Sequence, residues 1–437
     1  MDVLWGPETD KAIENFPVSG RPMPERVIRW LARIKAAAAI ANAELGELDP
    51  DVADRIARAA TDVAEGEHLD QFPVDVFQTG SGTSTNMNAN EVIATLAGPD
   101  VHPNDHVNRG QSSNDVVPSA VHLAALDVAA HDVAPALDRL ADTLGRRAAD
   151  FADVAKAART HLMDAVPITL GDEFGGYESQ IRLGAARVRD TFDRVGRIPL
   201  GGTAVGNGLN AHPELAARVR ARLVDESSLP IGEPADRFEA QAARDALVEL
   251  SGAVQVVAVS LTKIANDLVL MASGPRCGFG EIELPELQKG SSIMPGKVNP
   301  VVPEVVLQVA AQVIGNHTAV TVAGTQGNFE LNVRVPVIAR NLLDSLTLTA
   351  SACDLFAQRC IAGLTANVDR LAWTATHTLA SATALNPHVG YDSTTAVVRD
   401  AVARGDSLAD AARRAGIPAS TVELALDADR LARGNRD

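Results

Sequence analysis

The feature that most constrains the fold is a helical repeat of apolar residues that persists over unusually long windows. In the middle of the 437-residue chain, apolar side chains recur at every third and fourth position over residues 116–149, 168–195, 237–272 and 300–322. Apolar stripes of this length and width exceed what one antiparallel neighbour would cover. The sequence therefore predicts a mainly α protein whose long central helical bundle associates with further copies of the chain.

The two ends of the chain differ from this central part. Residues 1–111 alternate short helical patterns with loops rich in Gly, Ser, Thr and Asn, and the densest of these loops covers residues 78–90. Residues 370–437 form a shorter helical segment with a loop at Pro387. We predict three domains: a mixed, loop-bearing lobe over 1–111, the long-helix bundle over 112–369, and a small helical domain over 370–437.

Composition disfavours several classes of function. The 39 basic and 56 acidic residues give a net charge of −17, which argues against general affinity for nucleic acid or an anionic membrane surface. Aromatic residues make up only 3% of the chain, so base-stacking platforms are not expected. The three cysteines, Cys277, Cys353 and Cys360, lack metal-type spacing and indicate free thiols.

The N-terminus and the apolar segments indicate where in the cell the protein is expected. Residues 1–10 carry three acidic side chains and do not resemble a signal or transit peptide, so we expect a cytoplasmic protein. The most apolar stretches, such as residues 253–261, are interrupted by polar side chains. No segment is therefore expected to span a membrane.

Candidate chemistry lies in three polar clusters that precede predicted long helices. Ser-Ser-Asn at residues 112–114 precedes a helix that runs from about residue 115. Arg-Thr-His at 159–161 places a titratable imidazole in a loop close to the next helix start. Gly-Ser-Ser-Ile-Met-Pro-Gly-Lys-Val-Asn-Pro at 290–300, here called the signature loop, would end with Asn299 as helix cap and Pro300 at the first helical position.

Helix starts offer unpaired backbone N–H groups and a partial positive charge, so three that converge would bind a small dicarboxylate. Spacing alone does not establish that they converge. Each cluster also has a simpler explanation, namely helix capping at 112–114, a structural histidine at 161 and a flexible linker at the signature loop.

The signature loop, together with a second segment, carries a family resemblance. The signature loop is joined by Gln-Thr-Gly-Ser-Gly-Thr at 78–83 with Asn-Met-Asn at 86–88, and further similar segments run from 5–7 to 385–391. In these motifs the chain resembles the class II fumarases of the fumarase/aspartase superfamily. The resemblance implies a mainly α, three-domain fumarase/aspartase-like fold and a homotetramer whose active sites draw on three subunits.

The residue types at a few motif positions separate fumarase from aspartate ammonia-lyase within this superfamily. Aspartases usually carry Gln at the position of His161 and Ala at that of Gly296, and residues 327–332 also resemble the fumarase form. Residues 301–306, in contrast, resemble the aspartase stretch. We expect reversible hydration of fumarate to L-malate, with aspartate ammonia-lyase as the alternative. A non-catalytic tetrameric scaffold is disfavoured, because all of the candidate catalytic residues are present.

The resemblance also implies roles for individual residues. Ser291 is the expected base for the carbon-bound proton, and His161, paired with Glu304, serves the water and hydroxyl side. Backbone N–H groups and Lys297 would stabilise deprotonated Ser291. The residues expected to bind substrate are Ser81, Gly82, Thr83, Ser112, Ser113, Asn114, Thr160, Ser292, Lys297 and Asn299.

A second anion site is implied at His102, Pro103, Asn104 and Asp105. The chain has Pro99 where such fumarases place an arginine, so we expect weak binding there. No third ligand accompanies the histidines of this stretch, and no metal site is expected. The glycine-rich residues 201–208 lack a surrounding βαβ pattern, so no nicotinamide, flavin or other cofactor is expected.

Overall fold

The computed structural model describes residues 3–434 and is mainly α-helical. Within that part of the chain, the six strands are short and form three antiparallel two-stranded pairs. The prediction of a mainly α fold is therefore confirmed.

The helices follow one another along the described chain as α1 (Pro7–Asn15), α2 (Glu25–Glu44), α3 (Pro50–Glu65), α4 (Thr83–Ala97), α5 (Ser113–Val128), α6 (Ala134–Asp150), α7 (Leu170–Asp190), α8 (Phe192–Gly196), α9 (Leu215–Ser227), α10 (Arg237–Ala242), α11 (Asp245–Met271), α12 (Val301–Gly324), α13 (Val335–Arg359), α14 (Val368–His377), α15 (Asn386–Val389), α16 (Tyr391–Arg404), α17 (Leu408–Arg414), α18 (Ala419–Ala425) and α19 (Ala428–Arg433). The strands are β1 (Ala155–Thr160), β2 (Met163–Thr169), β3 (Ile282–Glu283), β4 (Gly327–Asn328), β5 (Leu331–Asn332) and β6 (Thr365–Ala366). The strand pairs are β1 with β2, β3 with β6 and β4 with β5.

Packing divides the chain into two compact units. The first unit contains residues up to 136 together with 184–259 and 309–351, and the second contains 137–183, 260–308 and the residues from 352 onwards. Each boundary falls inside a helix, so neither unit is one uninterrupted piece of sequence. The three-domain division at residues 111 and 369 stays a prediction.

The long apolar windows are helical, although three of the four are interrupted. The window at 116–149 contains a π-helical turn at Ala129–Val133, and the window at 168–195 ends in the short helix α8. Only the window at 300–322 is one continuous helix, α12.

The fourth window, residues 237–272, breaks between α10 and α11 for a local reason. Ala243 adopts extended backbone angles. The buried guanidinium of Arg244 donates hydrogen bonds to the carbonyls of Ala240 (2.6 Å) and Gln241 (3.0 Å). These carbonyls lie at the end of α10, so the side chain satisfies acceptors that a continuing helix would have used.

The first unit is organised around α2, which packs against α3, α5 and α9. Small residues of α2 and α3, such as Ala39 and Ala60, allow the two helices to approach closely. Ile56 and Ile93 fill the remaining space in this cluster. The core of this unit is therefore mostly aliphatic, as the low aromatic content indicates.

In the second unit, the β1–β2 hairpin packs against α14 and α19. The C-terminal helices enclose a separate aliphatic cluster that includes Leu385, Val397, Ala412 and Val422. These contacts support the hairpin on a helical base.

Three helical stretches meet the length and mean apolarity of a membrane span, which the interrupted apolar stretches of the sequence did not indicate, and the expectation that no segment spans a membrane stays a prediction. They are Ser113–Asp150, Asp245–Met271 and Val301–Gly324, with mean hydropathies of 1.2, 1.5 and 1.3. Within the chain, 78% of the first apolar window is buried, but only 50% and 28% of the other two. Helices α11 and α12 thus present long apolar faces that the chain itself does not cover.

Candidate active site

In the first unit, two helix starts meet through a chain of hydroxyl groups. The Thr83 hydroxyl, at the start of α4, shares hydrogen bonds of 2.8 Å with the hydroxyls of Ser81 and Ser113. Ser113 is the first residue of α5. Gly82 makes this junction possible because, with φ of 74°, it adopts the left-handed conformation that caps α4 without a side chain.

The start of α5 is held by a capping box. The Ser112 hydroxyl accepts the N–H of Asn114, and the Asp115 carboxylate accepts the N–H of Ser112 at 2.9 Å. The Asn114 side-chain amide donates to the carbonyl of Ala204 at 3.0 Å. The helix therefore begins at Ser113, slightly earlier than predicted, and cluster 112–114 is tied to the glycine-rich segment at 201–208.

Sequence reasoning missed the buried carboxylate of Asp115 as part of this site. Its second oxygen accepts the N–H groups of Gly201 and Thr203, both at 3.0 Å. Burial raises the pKa of the Asp115 carboxyl to about 6, although three backbone donors favour the ionised form. The signal was present as a Ser-x-x-Asp capping pattern at 112–115, but the contact with residues 201–203 was not readable from it.

A buried lysine lies near this carboxylate. The Lys35 ammonium donates to the Asn108 side-chain oxygen at 2.8 Å, and that oxygen also accepts the amide of Asn86. Burial lowers the pKa of Lys35 to about 7, while Asp115 acts in the opposite direction. The charge balance of this buried region therefore depends on Lys35 and Asp115 together.

In the second unit, His161 lies at the tip of the β1–β2 hairpin, and the prediction that it precedes a helix start was wrong. His161 and Leu162 are the two turn residues, with φ of 56° and 59°. Helix α7 begins only after β2, at Leu170. Thr160 and His161 are both exposed, so a two-residue turn presents the imidazole to the surroundings of the chain.

The signature loop folds back on the hydroxyl of Ser291. That oxygen accepts the backbone N–H groups of Ile293 at 3.2 Å and Met294 at 3.0 Å. Ser292 and Lys297 are exposed on the same loop. Two N–H donors aimed at one serine oxygen favour negative charge on it, which is the stabilisation a serine base requires.

Asn299 does not cap a helix, contrary to the prediction. Helix α12 begins at Val301, and the carbonyl of Pro300 accepts the N–H of Glu304 at 3.0 Å, so Pro300 occupies the cap position. The Asn299 side-chain amide instead donates to the carbonyl of Gly290 at 2.7 Å. This bond closes the neck of the signature loop.

Glu304 lies in the first turn of α12, where its side chain is exposed. Between the described residues of one chain, no hydrogen bond or ion pair joins Glu304 to His161. The pairing of these two residues stays a prediction. It requires either a rearrangement or a second chain.

The stretch proposed as the second anion site forms a π-helical turn capped by His102. The His102 ring nitrogen Nδ1 accepts the N–H groups of Asn104 and Asp105, at 3.3 Å and 3.1 Å. Pro103 is the first residue of the turn. In the part of the chain that the structure describes, no group of three His, Cys, Asp or Glu side chains is placed to hold a metal ion.

Comparison with known proteins places the chain in a family. Residues 1–315 match the family described as lyase, and residues 382–433 match the family described as the fumarase C C-terminus. The chain is 52% identical to the class II fumarate hydratase of Mycobacterium tuberculosis, over 98% of this chain and 94% of that protein. The chain belongs to the class II fumarate hydratase family. A second family member, the class II fumarate hydratase of Corynebacterium glutamicum, is 51% identical over 93% of this chain and 86% of its own length.

Solved structures agree with membership of the class II fumarate hydratase family. The class II fumarase of Schistosoma mansoni superposes with a TM-score of 0.97 at 34% identity, covering 100% of this chain and 97% of that chain. The fumarate lyase:delta crystallin of Brucella melitensis in native form gives a TM-score of 0.91 at 42% identity, covering 98% and 96%. The family resemblance and the fumarase/aspartase-like fold predicted from the motifs are confirmed.

Proposed function

We propose that this chain catalyses the reversible hydration of fumarate to L-malate by anti addition and elimination of water. The observation that carries the proposal is the Ser291 hydroxyl, which accepts two backbone N–H groups within the signature loop of a class II fumarate hydratase family member. Removal of a proton next to a carboxylate requires a strong base, and a serine can act as one only where its oxyanion is stabilised.

The substrate carboxylates bind at the joined helix starts in this proposal. The hydroxyls of Ser81, Thr83 and Ser113 form one hydrogen-bonded chain that can rearrange to donate to an anion. The starts of α4 and α5 add positive dipole ends. Such short donors suit a small rigid dicarboxylate, and they bind it without an overall basic surface.

In the malate-to-fumarate direction, the Ser291 oxyanion takes the proton from the carbon next to one carboxylate. The electron pair of that bond is held on the carboxylate as a dianionic intermediate, which the side chains of Lys297 and Asn299 stabilise by donating hydrogen bonds. The pair then forms the carbon–carbon double bond as the hydroxyl leaves. His161 supplies the proton that turns the leaving hydroxide into water.

In this proposal the chain forms a homotetramer, and the residues of each active site come from three subunits. The exposed apolar residues Val259 of α11 and Val322 of α12 support association through these helices, because the chain leaves them uncovered. The same assembly would bring Glu304 of one subunit to His161 of another, where the carboxylate would fix the tautomer of the ring. We propose a cytoplasmic location, which the three free cysteines of the described chain support.

The second anion site is proposed to bind dicarboxylates only weakly. Pro99 supplies no charge, and the adjacent Asp100 occupies Arg55 in a two-bonded ion pair of 2.8 Å and 2.6 Å. His102→Asn should lower affinity at this site without changing the catalytic site. Unchanged affinity for a second malate in this variant would contradict any role for His102.

Absorbance of the fumarate double bond tests the proposed activity. Purified protein given L-malate should produce a rise in absorbance, and protein given L-aspartate should not. A rise with aspartate alone would establish the aspartate ammonia-lyase alternative, which residues 301–306 favour. Tight binding of malate with no rise from either substrate would instead establish the non-catalytic scaffold.

A further inference from the structure

A buried cluster of four charged side chains underlies the His161 hairpin. Arg159 of β1 donates two hydrogen bonds to the Glu281 carboxylate, of 3.0 Å and 2.8 Å. Lys156 of the same strand forms ion pairs with Glu281, at 3.4 Å, and with Glu173 of α7. The Glu281 side chain is 0% exposed and that of Lys156 is 3% exposed. Two positive and two negative groups thus balance one another, and the side chains of Arg159 and Glu173 are 15% and 23% exposed.

Glu281, the acidic partner of Arg159, is itself held by backbone hydrogen bonds. The N–H of Glu281 donates to the carbonyl of Met271 at 2.8 Å, and its carbonyl accepts the N–H of Asn367 at 2.9 Å. The Arg159 guanidinium also stacks on the ring of Phe279, 4.3 Å from its centre. Arg159 is therefore fixed on two sides, by a forked ion pair and by an aromatic face.

Arg159 lies two residues before His161 in the hairpin. The final strand pairs before the turn are Arg159 with Asp164 and Thr160 with Met163. The two turn residues, His161 and Leu162, hold left-handed backbone angles that residues other than glycine adopt uncommonly, leucine more rarely than histidine. A turn of this kind keeps its shape only where the flanking strands are held in place.

We propose that Arg159 and Glu281 are positioning residues that fix the hairpin tip so that the His161 imidazole is oriented for proton transfer. This inference rests on the proposed function, in which His161 acts on the water side of the reaction. Neither residue needs to touch the substrate. Their effect on catalysis would pass entirely through the imidazole.

A buried ion network of this kind is weak evidence for added stability. Replacing a buried ion network by well-packed apolar side chains often leaves a protein as stable or more stable. The forked geometry of Arg159 on Glu281, in contrast, sets both the distance and the orientation of the hairpin relative to a fixed carboxylate. Orientation is what proton transfer requires, since a displacement of about 1 Å can cost about 100-fold in rate.

The test combines Arg159→Lys with His161→Asn. Arg159→Lys keeps the charge but loses the fork, and it should lower kcat about 10- to 100-fold while KM for malate changes less than about threefold. In the His161→Asn background the same substitution should change kcat less than about twofold, because the group it positions is gone. Glu281→Gln should behave in the same way.

The matched control is Arg139→Lys. Arg139 makes an equally short fork on Asp354, with two bonds of 2.8 Å, at an exposed place between α6 and α13. Its substitution should leave kcat unchanged. A general loss of folding would appear as less tetramer and a lower unfolding temperature, and it would lower kcat by the same factor in both His161 backgrounds.

Three results would overturn the inference: equal losses of kcat in both backgrounds, unchanged kcat in Arg159→Lys, or an effect on KM alone. Hydrogen exchange of residues 155–169 separates this inference from the proposed function. Faster exchange in Arg159→Lys than in Arg139→Lys shows that the hairpin is anchored even if the wild-type protein has no fumarase activity. That absence of activity would overturn the proposed function, whereas an active wild type with an indifferent Arg159→Lys would overturn only the positioning role.

Discussion

The Asp115 carboxylate accepts the backbone N–H of Thr203 at 3.0 Å, and this bond joins the start of α5 to the glycine-rich segment at 201–208. The same side chain accepts the N–H groups of Ser112 and Gly201. One buried carboxylate therefore sets the relative position of two segments that are distant in the sequence.

Asp115→Asn tests this relationship. An amide keeps one oxygen acceptor but places an NH₂ group against at least one backbone N–H, so cluster 112–114 shifts. We expect KM for fumarate to rise about 10-fold while kcat changes less than about threefold, and steady-state kinetics measures both. Asp49→Asn, which alters the cap of α3, is the control and should leave KM unchanged. An unaltered KM in Asp115→Asn would show that these bonds do not position the substrate-binding residues.

The buried imidazole of His122 should make the free energy of unfolding fall as the pH is lowered. Burial lowers the pKa of its imidazole to about 4, and the nearby Arg244 acts in the same direction. The unfolded chain binds a proton near pH 6.5, whereas the folded chain excludes it until about pH 4. This contribution to stability is therefore complete above about pH 6.5 and is lost progressively as the pH falls toward 4.

The variant His122→Asn should remove that loss, because asparagine has no group that titrates in this pH range. Its amide can still donate to the carbonyl of Val195, which the histidine ring contacts at 2.9 Å. Between pH 7.5 and pH 5, urea unfolding at fixed protein concentration should show the wild type losing about 2 kcal/mol more than the variant. Ser119→Ala, a buried non-titrating change in the same helix, should keep the wild-type pH dependence. Equal pH dependence in wild type and His122→Asn would refute the assignment.

Gly290 predicts a requirement for glycine at the neck of the signature loop. A Cβ atom there would lie 2.0 Å from the carbonyl oxygen of Lys297 and 3.1 Å from the backbone nitrogen of Asn299. Gly290→Ala should therefore displace the loop and lower kcat about 100-fold, with the helical circular-dichroism signal preserved. Gly232→Ala, where an added Cβ meets nothing within 4 Å, serves as the control. Normal turnover in Gly290→Ala would mean that the neck is not fixed during catalysis.

Several features of the fold were predictable because they follow from local periodicity. The continuous helix α12 was readable from its apolar repeat, since burial of one face imposes that repeat. The break before α11 was not, because it depends on where the Arg244 side chain finds carbonyl partners. A helix can be read from its own residues, whereas an interruption by a folded-back side chain cannot.

The candidate site also has features that the sequence predicted and features that only the folded chain reveals. Residue types at the signature loop indicated an anion-binding segment, but Asn299 was misassigned because its partner, Gly290, lies nine residues away across the loop. The hairpin at His161 was missed because β1 lacks alternating β-branched residues and its turn lacks glycine and asparagine. The buried carboxylates Asp115 and Glu281 were missed since only the folded chain brings their partners to them.

Mixing of two impaired variants tests whether active sites are shared between subunits. His161→Asn and Ser291→Ala should each retain only a small residual fraction of the wild-type turnover. If His161 and Ser291 of one site come from different chains, random reassembly of an equal mixture leaves about a quarter of the sites with both residues intact. Malate turnover should then recover to about that fraction of the wild-type rate. No recovery after complete subunit exchange would place both residues of a site on one chain.

The most direct test of the central claim compares Ser291→Ala with its neighbour Ser292→Ala by following fumarate absorbance from L-malate. The Ser291 hydroxyl accepts two backbone N–H groups, whereas Ser292 is exposed on the same loop. If Ser291 is the base, its substitution lowers kcat about 1,000-fold or more in the folded protein, while Ser292→Ala mainly raises KM. A Ser291→Ala enzyme that keeps kcat within about tenfold of the wild type would contradict the account.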